Sequence, residues 1–390
     1  MENSGKNHHV AMGVLIDVLM VFIVNASMLS ILLLCCSLFK VDIVLILSLF
    51  SSYLTFRPFQ KALLSYHSSK FSYKNHGLFI LILLMISFII ASAPYFYIRG
   101  GQDEGVYVNA AATFERTGKI FQDDDIRKNI GNNNILKIYD KYNFRDRKII
   151  VHGKYEGVFL PGIYVKDIEQ SEYVFQFYPL HPIWMSIFGK IFGGKNRVYS
   201  LVFFSLISVL FFYLLFYELF ANKWIAFTAG LLLALNPLHA FFSKFPVTEV
   251  VFLSFTLSCF FYLVRYYELA KKGIYCPFYL LLAVGLIGCS FFTRISGFMY
   301  LPFFYSLTVL TILFVGDKRI RVHLLFSFFG VFLIYIMSLI YGLNFSYPYS
   351  HDIYTLSIGK ILGNNWGFKV CLICILALLF LLVVSLTRTA

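Results

Sequence analysis

The sequence predicts an all-α polytopic membrane protein with about ten transmembrane helices. Of the 390 residues, 59% are hydrophobic and 14% are charged, whereas a soluble domain carries about a quarter charged residues. The apolar residues also occur in blocks of the roughly 20 residues that a helix needs to cross a hydrocarbon core. The first block lacks a small-residue cleavage site and runs into a second one, so we expect a retained span and not a signal peptide.

Ten spans follow from the hydropathy pattern. They are predicted near residues 13–38, 41–56, 78–98, 198–218, 224–241, 249–266, 278–293, 298–315, 322–343 and 369–387. The first two form a tight hairpin across Lys40 and Asp42. The seven cysteines lie in or beside these blocks without metal-type spacing or a disulfide framework, and we interpret them as buried thiols.

The basic residues of the short loops predict the orientation. They are Arg57, Lys61, Lys70 and Lys74, then Lys271 and Lys272, then Lys318, Arg319 and Arg321. Ten spans place all three groups on one side, which the positive-inside rule makes the cytoplasm, together with both termini. The basic residues of the cytoplasmic loops therefore largely explain the net charge of +13, and no nucleic-acid partner is expected. The sequence predicts a multi-pass protein of the plasma (inner) membrane with a large extracytoplasmic first loop, 99–182.

That loop contains several predicted elements. Asp103 to Thr117 has the apolar periodicity of a helix, with Tyr107, Ala110, Ala111 and Phe114 on one face and Gly118 as a stop. A polar, Asn-rich stretch follows. The segments "KIIVHGKY", "GVFLPGIYV" and "EYVFQFY" predict three short strands, a small β-insertion. The closing "FYPLHPIWMSIFGKIFGG" is too short to span and predicts an interfacial amphipathic helix.

Four polar features share the predicted extracytoplasmic face. In "GGQDEGVYVNAA", Asp103 and Glu104 stand at the mouth of a span, where a helix cap is the ordinary explanation. Glu249 is a first-turn glutamate at another mouth. Arg294 lies in an otherwise apolar turn, as a snorkelling arginine does, and His181 lies in a proline-rich turn. Each ordinary explanation suffices alone, but their coincidence on one face favours a functional site.

The order of the motifs resembles a known family. A span precedes "DE" with a tyrosine three residues later, and the loop closes with "YPLHP" and a short helix ending in "FG". Asn-Pro then ends a span, followed by "KFPVTE" and "TRISG" turns. This succession over residues 78–315 is similar to the GT-C superfamily of integral-membrane glycosyltransferases, in the branch of protein O-mannosyltransferases and the aminoarabinose transferase of lipid A. Residues 1–77 then form an N-terminal hairpin with a cytoplasmic loop, and 316–390 form C-terminal transmembrane helices.

The resemblance implies an inverting transfer of a sugar from a polyprenyl-phosphate donor to an extracytoplasmic lipid, glycan or protein. Asp103 matches the family's catalytic acidic position and Glu249 its second acidic position, while Lys244 stands where many relatives have arginine, without bidentate geometry. The hairpin before residue 60 and the β-insertion depart from the minimal pattern, so the acceptor class is not carried over. A family-type C-terminal domain is expected to be absent or removed.

Glycosyl transfer chemistry fits these residue types. A carboxylate takes the proton of the attacking hydroxyl, nearby negative charge stabilises an oxocarbenium-like transition state, and cations stabilise the leaving phosphate. The sequence thus predicts a catalytic group and a substrate-binding group. They are Asp103, Glu104 and Glu249, and Tyr107, His181, Lys244 and Arg294. No metal ligand is assigned, although Mg²⁺ or Mn²⁺ between Asp103 and Glu249 is compatible with oxygen ligands.

Three alternatives remain at this stage. A transporter or flippase of a lipid-linked glycan places ionisable groups at mid-depth, and apart from Asp17 the predicted spans are almost free of them. A non-catalytic scaffold would tolerate the loss of Asp103. A lipid-linked glycan ligase or polymerase would need the same acidic site and differ only in its acceptor.

Overall fold

The computed structural model describes residues 2–60, 63, 76–96, 103–143 and 155–354. Helices dominate this part of the chain. In chain order they are α1 (Glu2–Cys35), α2 (Val41–Phe56), α3 (Gly77–Ala91), α4 (Asp103–Thr117), α5 (Asp125–Lys128), α6 (Asn133–Asn143), α7 (Leu180–Phe192), α8 (Tyr199–Phe220), α9 (Lys223–Ala234), α10 (Pro237–Phe242), α11 (Glu249–Ala270), α12 (Pro277–Thr293), α13 (Tyr300–Phe314), α14 (Lys318–Phe345) and α15 (Tyr347–Tyr354).

Six of the described helical segments are long and apolar enough to cross a membrane. They are Gly13–Cys35, Val41–Phe59, Gly194–Phe220, Glu249–Ala270, Ile295–Phe314 and Lys318–Phe345. The apolar helices α3, α9 and α12 are shorter, at 10–17 residues. The chain is therefore a mostly helical membrane protein, and six spanning helices fall short of the predicted ten. The tenth predicted span, 369–387, lies outside the described residues, as do Lys61, Lys70 and Lys74 of the first basic loop.

Two predicted spans end seven residues earlier than the hydropathy pattern indicated, since their helices end at Ala91 and not at 98, and at Ala234 and not at 241. The span predicted at 224–241 is wrong as a single helix, because α9 ends at Ala234 and α10 begins at Pro237. Asn236 caps the second helix by accepting hydrogen bonds from the amides of Leu238 and His239 at 2.9 and 3.0 Å, while Pro237 occupies the first helical position. Helix α3 ends at Ala91, shortly before Pro94, which disfavours helical geometry in the residue preceding it.

The centre of the bundle is α11, which packs against α8 and α12, while α9 and α3 cover the far side of α8. The first two helices pair with each other, and α1 also contacts α12 and α7. The carboxyl ends of α3 and α12 lie with the amino ends of α8 and α11, because the Tyr199 hydroxyl donates to the Ser92 carbonyl and Arg294 pairs with Glu249. That end also carries α4, α7 and a small sheet, and it is called the sheet end below.

The predicted β-insertion is confirmed as a four-stranded antiparallel sheet. Its order is β1 (Gln122–Asp123), β4 (Glu172–Phe175), β3 (Ile163–Asp167), β2 (Gly157–Leu160). The segment "GVFLPGIYV" is a hairpin and not one strand, because Gly162 at φ +82° reverses the chain. Of the predicted strand 148–155 only Tyr155 is described. The polar stretch before it contains α5 and α6, which Arg127 and Asp140 join with hydrogen bonds of 3.0 and 3.3 Å.

Helix α7 corrects the prediction of an interfacial amphipathic helix. Its residues from Leu180 to Ile187 are buried inside the protein. Trp184 donates from Nε1 to Ser27 Oγ of α1 at 3.0 Å, and the Ser186 hydroxyl donates to the Ala111 carbonyl of α4 at 2.8 Å. The apolar face that predicted contact with lipid packs on neighbouring helices instead. Only the C-terminal end of α7 is exposed.

Candidate active site at the sheet end

Three separated helix ends meet in the candidate site. Asp103 begins α4, Glu249 begins α11, and Arg294 follows the last residue of α12. The predicted face of α4 is confirmed, since Tyr107 and Phe114 are 6% and 3% exposed, and Gly118 ends the helix with φ +68°. Packing of that face on α7 sets the position of Asp103, which is the first helical residue.

Glu249 and Arg294 form an ion pair. Arg294 Nη1 donates to Glu249 Oε1 at 2.5 Å and approaches Thr248 Oγ1 at 3.5 Å. The two side chains are 32% and 37% exposed. Glu249 Oε2 is buried and makes no hydrogen bond within the described residues. Arg294 is therefore held by a carboxylate, whereas a snorkelling arginine would extend freely to headgroups.

Asp103 lies within electrostatic reach of this pair. Its pKa is raised by partial desolvation first, then by the carboxylates of Glu104 and Glu249, while the Arg294 guanidinium opposes the shift. Asp103 is exposed to solvent, whereas Glu104 is 6% exposed. The accessible carboxylate of the "DE" pair is thus Asp103, and a raised pKa brings it closer to the range that suits a general base.

Tyr107 and His181 lie beneath the charged groups. The Tyr107 ring stacks on Phe177 at 4.6 Å and meets His181 edge to face at 5.1 Å, and its phenol is hydrogen-bonded to Thr248. His181 is fully buried, and burial lowers its pKa to about 3 although the Pro246 carbonyl opposes the shift. Neither imidazole nitrogen has a hydrogen bond of normal geometry within the described residues. The structure therefore gives both rings a packing position, with neither open to solvent.

Lys244 is placed by its backbone. Its carbonyl accepts a hydrogen bond from the Tyr95 amide at 2.8 Å, which ties the turn before α11 to the chain that follows α3. The residue Lys244 as a whole is half-buried. Of the two cations predicted to bind phosphate, the structure brings Arg294 to the acidic residues.

Tyr349 and Thr248 were missed by sequence reasoning. Tyr349 of α15 meets Phe177 edge to face at 5.1 Å. Burial raises the pKa of its phenol, Arg294 lowers it, and Asp103 and Glu249 raise it, so all three charges lie near. Nothing in "YPYSHD" marks this tyrosine, because its proximity depends on the return of α14 to the sheet end. Thr248 was visible only as part of the "VTE" turn.

The geometry of the candidate site does not in itself favour the binding of a divalent ion. Within the described residues, no group of three or more His, Cys, Asp or Glu side chains is arranged to hold a metal ion. The Arg294 guanidinium occupies Glu249 Oε1, and Mg²⁺ or Mn²⁺ between Asp103 and Glu249 would have to compete with it.

A second polar cluster lies toward the opposite end of the bundle. Asp17 accepts hydrogen bonds from Tyr262 at 3.0 Å and Tyr279 at 3.4 Å, and Arg265 lies 4.0 Å from Glu218. Arg265 is 1% exposed. Glu218 and Arg265 stand near the ends of their predicted spans, and tertiary packing buries them.

Comparison with protein-family models, curated proteins and solved structures finds no match to this chain. The resemblance to GT-C glycosyltransferases accordingly rests on the residues and motifs themselves.

Proposed function

We propose that this protein is a GT-C-like glycosyltransferase that moves a sugar from a polyprenyl-phosphate donor to an extracytoplasmic lipid, glycan or protein, with inversion. One observation carries the proposal. An exposed carboxylate with a raised pKa, Asp103, lies beside the Glu249–Arg294 ion pair at one end of a membrane helix bundle. A base next to a cation is what an attacking hydroxyl and a departing phosphate require.

The proposed step is a single displacement. The acceptor hydroxyl attacks the anomeric carbon as Asp103 takes its proton, and the bond from that carbon to the phosphate oxygen breaks on the opposite face. The electron pair leaves with polyprenyl phosphate, whose negative charge Arg294 stabilises. Glu249 holds Arg294 in place and adds negative charge near the oxocarbenium-like centre. Tyr107 and His181 position the helix ends, and Tyr349 borders the same space.

The proposal includes an orientation. We place the sheet end outside the cytoplasm and both termini inside, in a plasma-membrane protein of ten spans that include the shorter helices α3, α9 and α12. Arg57 and the exposed Lys271, Lys272, Lys318 and Arg319 of the opposite end support this side as cytoplasmic.

A transporter or flippase is the second candidate, and the buried Asp17, Glu218 and Arg265 are the observation that favours it. Ionisable groups inside membrane helices mark ion or substrate paths. Here, however, Glu218 and Arg265 lie within about two turns of the ends of α8 and α11, and Asp17 accepts hydrogen bonds from the tyrosines Tyr262 and Tyr279. This placement fits a structural contact between helices better than a transport site at the middle of the membrane. A glycan ligase or polymerase would share the site at the sheet end.

The test is an incubation of the purified full chain with a panel of polyprenyl-phosphate sugars and acceptors, scored by release of polyprenyl phosphate. We expect release with at least one donor in the wild-type protein and release slower by about 10²- to 10⁴-fold with Asp103→Asn. Donor movement across vesicles without cleavage, unchanged by Asp103→Asn, would favour the flippase. No release with any donor, together with no movement, would remove both candidates.

A further inference from the structure

Three chain segments converge on one rim of the sheet end. The turn between α1 and α2 contains Phe39, whose carbonyl lies against Gly118 at the end of α4. Lys190 near the end of α7 lies 3.9 Å from Asp42 at the start of α2. Arg197, just before α8, lies 3.6 Å from Glu115 of α4. The tip of the hairpin, the end of α4 and the segment 190–197 therefore form one continuous surface.

This surface is basic. Its exposed lysines are Lys40, Lys119, Lys190 and Lys195. Arg197 and Glu115 form an ion pair at 3.6 Å. Among the described residues named on this surface, Asp42 is then the acidic residue that partly offsets the positive charge of the four lysines. The rim therefore carries an excess of positive charge. The predicted orientation does not account for these lysines, because the positive-inside rule concerns the opposite side.

The same surface also carries exposed apolar side chains. Leu38 is 61% exposed, and Ile191 and Phe192 are 51% and 57% exposed. Along the chain, Leu38 lies two residues before Lys40, and Ile191 and Phe192 lie between Lys190 and Lys195. Lysines interleaved with exposed apolar side chains are typical of protein segments that insert shallowly into the boundary between headgroups and acyl chains.

The depth of the surface follows from the helices that adjoin it. Candidate spans end at Cys35 and begin at Val41 and at Gly194, so the rim lies where three spans leave the apolar layer. At this level the nearest anionic groups are lipid phosphates, and each basic residue near an anionic membrane surface contributes about 1 kcal/mol of attraction, which corresponds to roughly fivefold in affinity.

We propose that this surface, the basic rim (Leu38, Lys40, Lys119, Lys190, Ile191, Phe192 and Lys195), binds the headgroups of anionic phospholipids. The apolar side chains insert between the lipids, and the lysines contact the phosphates. The contact would fix α4 and α7 against the bilayer, independently of what the candidate active site does.

The test is hydrogen exchange of the full chain in nanodiscs of phosphatidylcholine, with and without phosphatidylglycerol. We expect slower amide exchange at 36–41 and 190–198 when phosphatidylglycerol is present. Lys190→Gln should raise the half-saturating fraction of that lipid about fivefold, and the triple variant Lys40→Gln/Lys190→Gln/Lys195→Gln should remove the effect. Arginine at the same three positions should restore it, because the attraction is electrostatic.

A matched control removes Lys271, Lys272 and Lys318 at the opposite end, where the same substitutions should leave the protection of the rim unchanged. Exchange within α8 reports folding of every variant. Equal exchange of the rim in the two lipid mixtures would overturn the proposal, and so would equal loss of protection in the control triple variant. Neither result bears on transfer by Asp103.

Discussion

Replacing Arg294 with glutamine tests the proposed site most directly. The substitution keeps a polar side chain but removes the charge that pairs with Glu249 at 2.5 Å. A charge-assisted hydrogen bond contributes about 1.5–3 kcal/mol. Because the Arg294 side chain is 37% exposed, solvent screening favours the lower end of that range. We therefore expect a roughly tenfold loss of kcat/KM for the polyprenyl-phosphate donor.

The pH dependence provides a second readout. Asp103 must be ionised to act as a base, so activity falls as pH drops through its raised pKa. Arg294 lowers that pKa and Glu249 raises it. Arg294→Gln should therefore move the acidic limb of the rate profile to higher pH, and Glu249→Gln should move it to lower pH. A purely structural role for the ion pair would not produce opposite shifts.

The assay is the initial rate of polyprenyl phosphate release against donor concentration, from pH 4 to 9 as a working range around ordinary carboxyl and histidine values. Arg319→Gln is the control, because Arg319 is an exposed arginine at the opposite end of the bundle. Wild-type kcat/KM in Arg294→Gln at sub-saturating donor would refute the phosphate role. If the acidic limb of the pH–rate profile moves in the same direction in Arg294→Gln and Glu249→Gln, the electrostatic coupling to Asp103 is refuted.

Three further predictions concern the base, the orientation and the buried cluster. Asp103→Asn should reduce turnover by about 10²- to 10⁴-fold with an unchanged melting temperature, since asparagine suits a helix start about as well as aspartate; wild-type turnover would leave Asp103 a purely structural residue. In intact cells, an impermeant thiol reagent should label a cysteine at Asn133 and not one at Ser68, and the reverse pattern would invert the topology. Arg265→Gln should cost about 3–5 kcal/mol of stability, because it leaves the Glu218 carboxyl buried without the cation that lies 4.0 Å from it, whereas Lys271→Gln, at an exposed pair, should cost at most about 1 kcal/mol; thermal unfolding in detergent compares the two.

The chemical groups of the candidate site could be predicted from the sequence, but their arrangement could not. Asp103, Glu249 and Arg294 were identified because charged side chains are rare at the mouths of apolar helices, which is a local property of the chain. Which residues cover Tyr107 and His181 could not be inferred in the same way. That depends on α7 packing beneath α4, and an apolar helix face predicts burial without specifying whether lipid or protein covers it.

The sequence by itself determined that this is a helical membrane protein with a polar insertion containing strands. Blocks of about 20 apolar residues and the alternating pattern of short strands are local signals. Tertiary structure alone decided the contacts between distant segments, such as Asp17 with Tyr262, 245 residues apart, and Trp184 with Ser27, 157 residues apart. It also decided that Arg294 pairs with Glu249. Such contacts depend on which helix ends become neighbours, and hydrophobic periodicity fixes which face of a helix is buried but not which helix covers it.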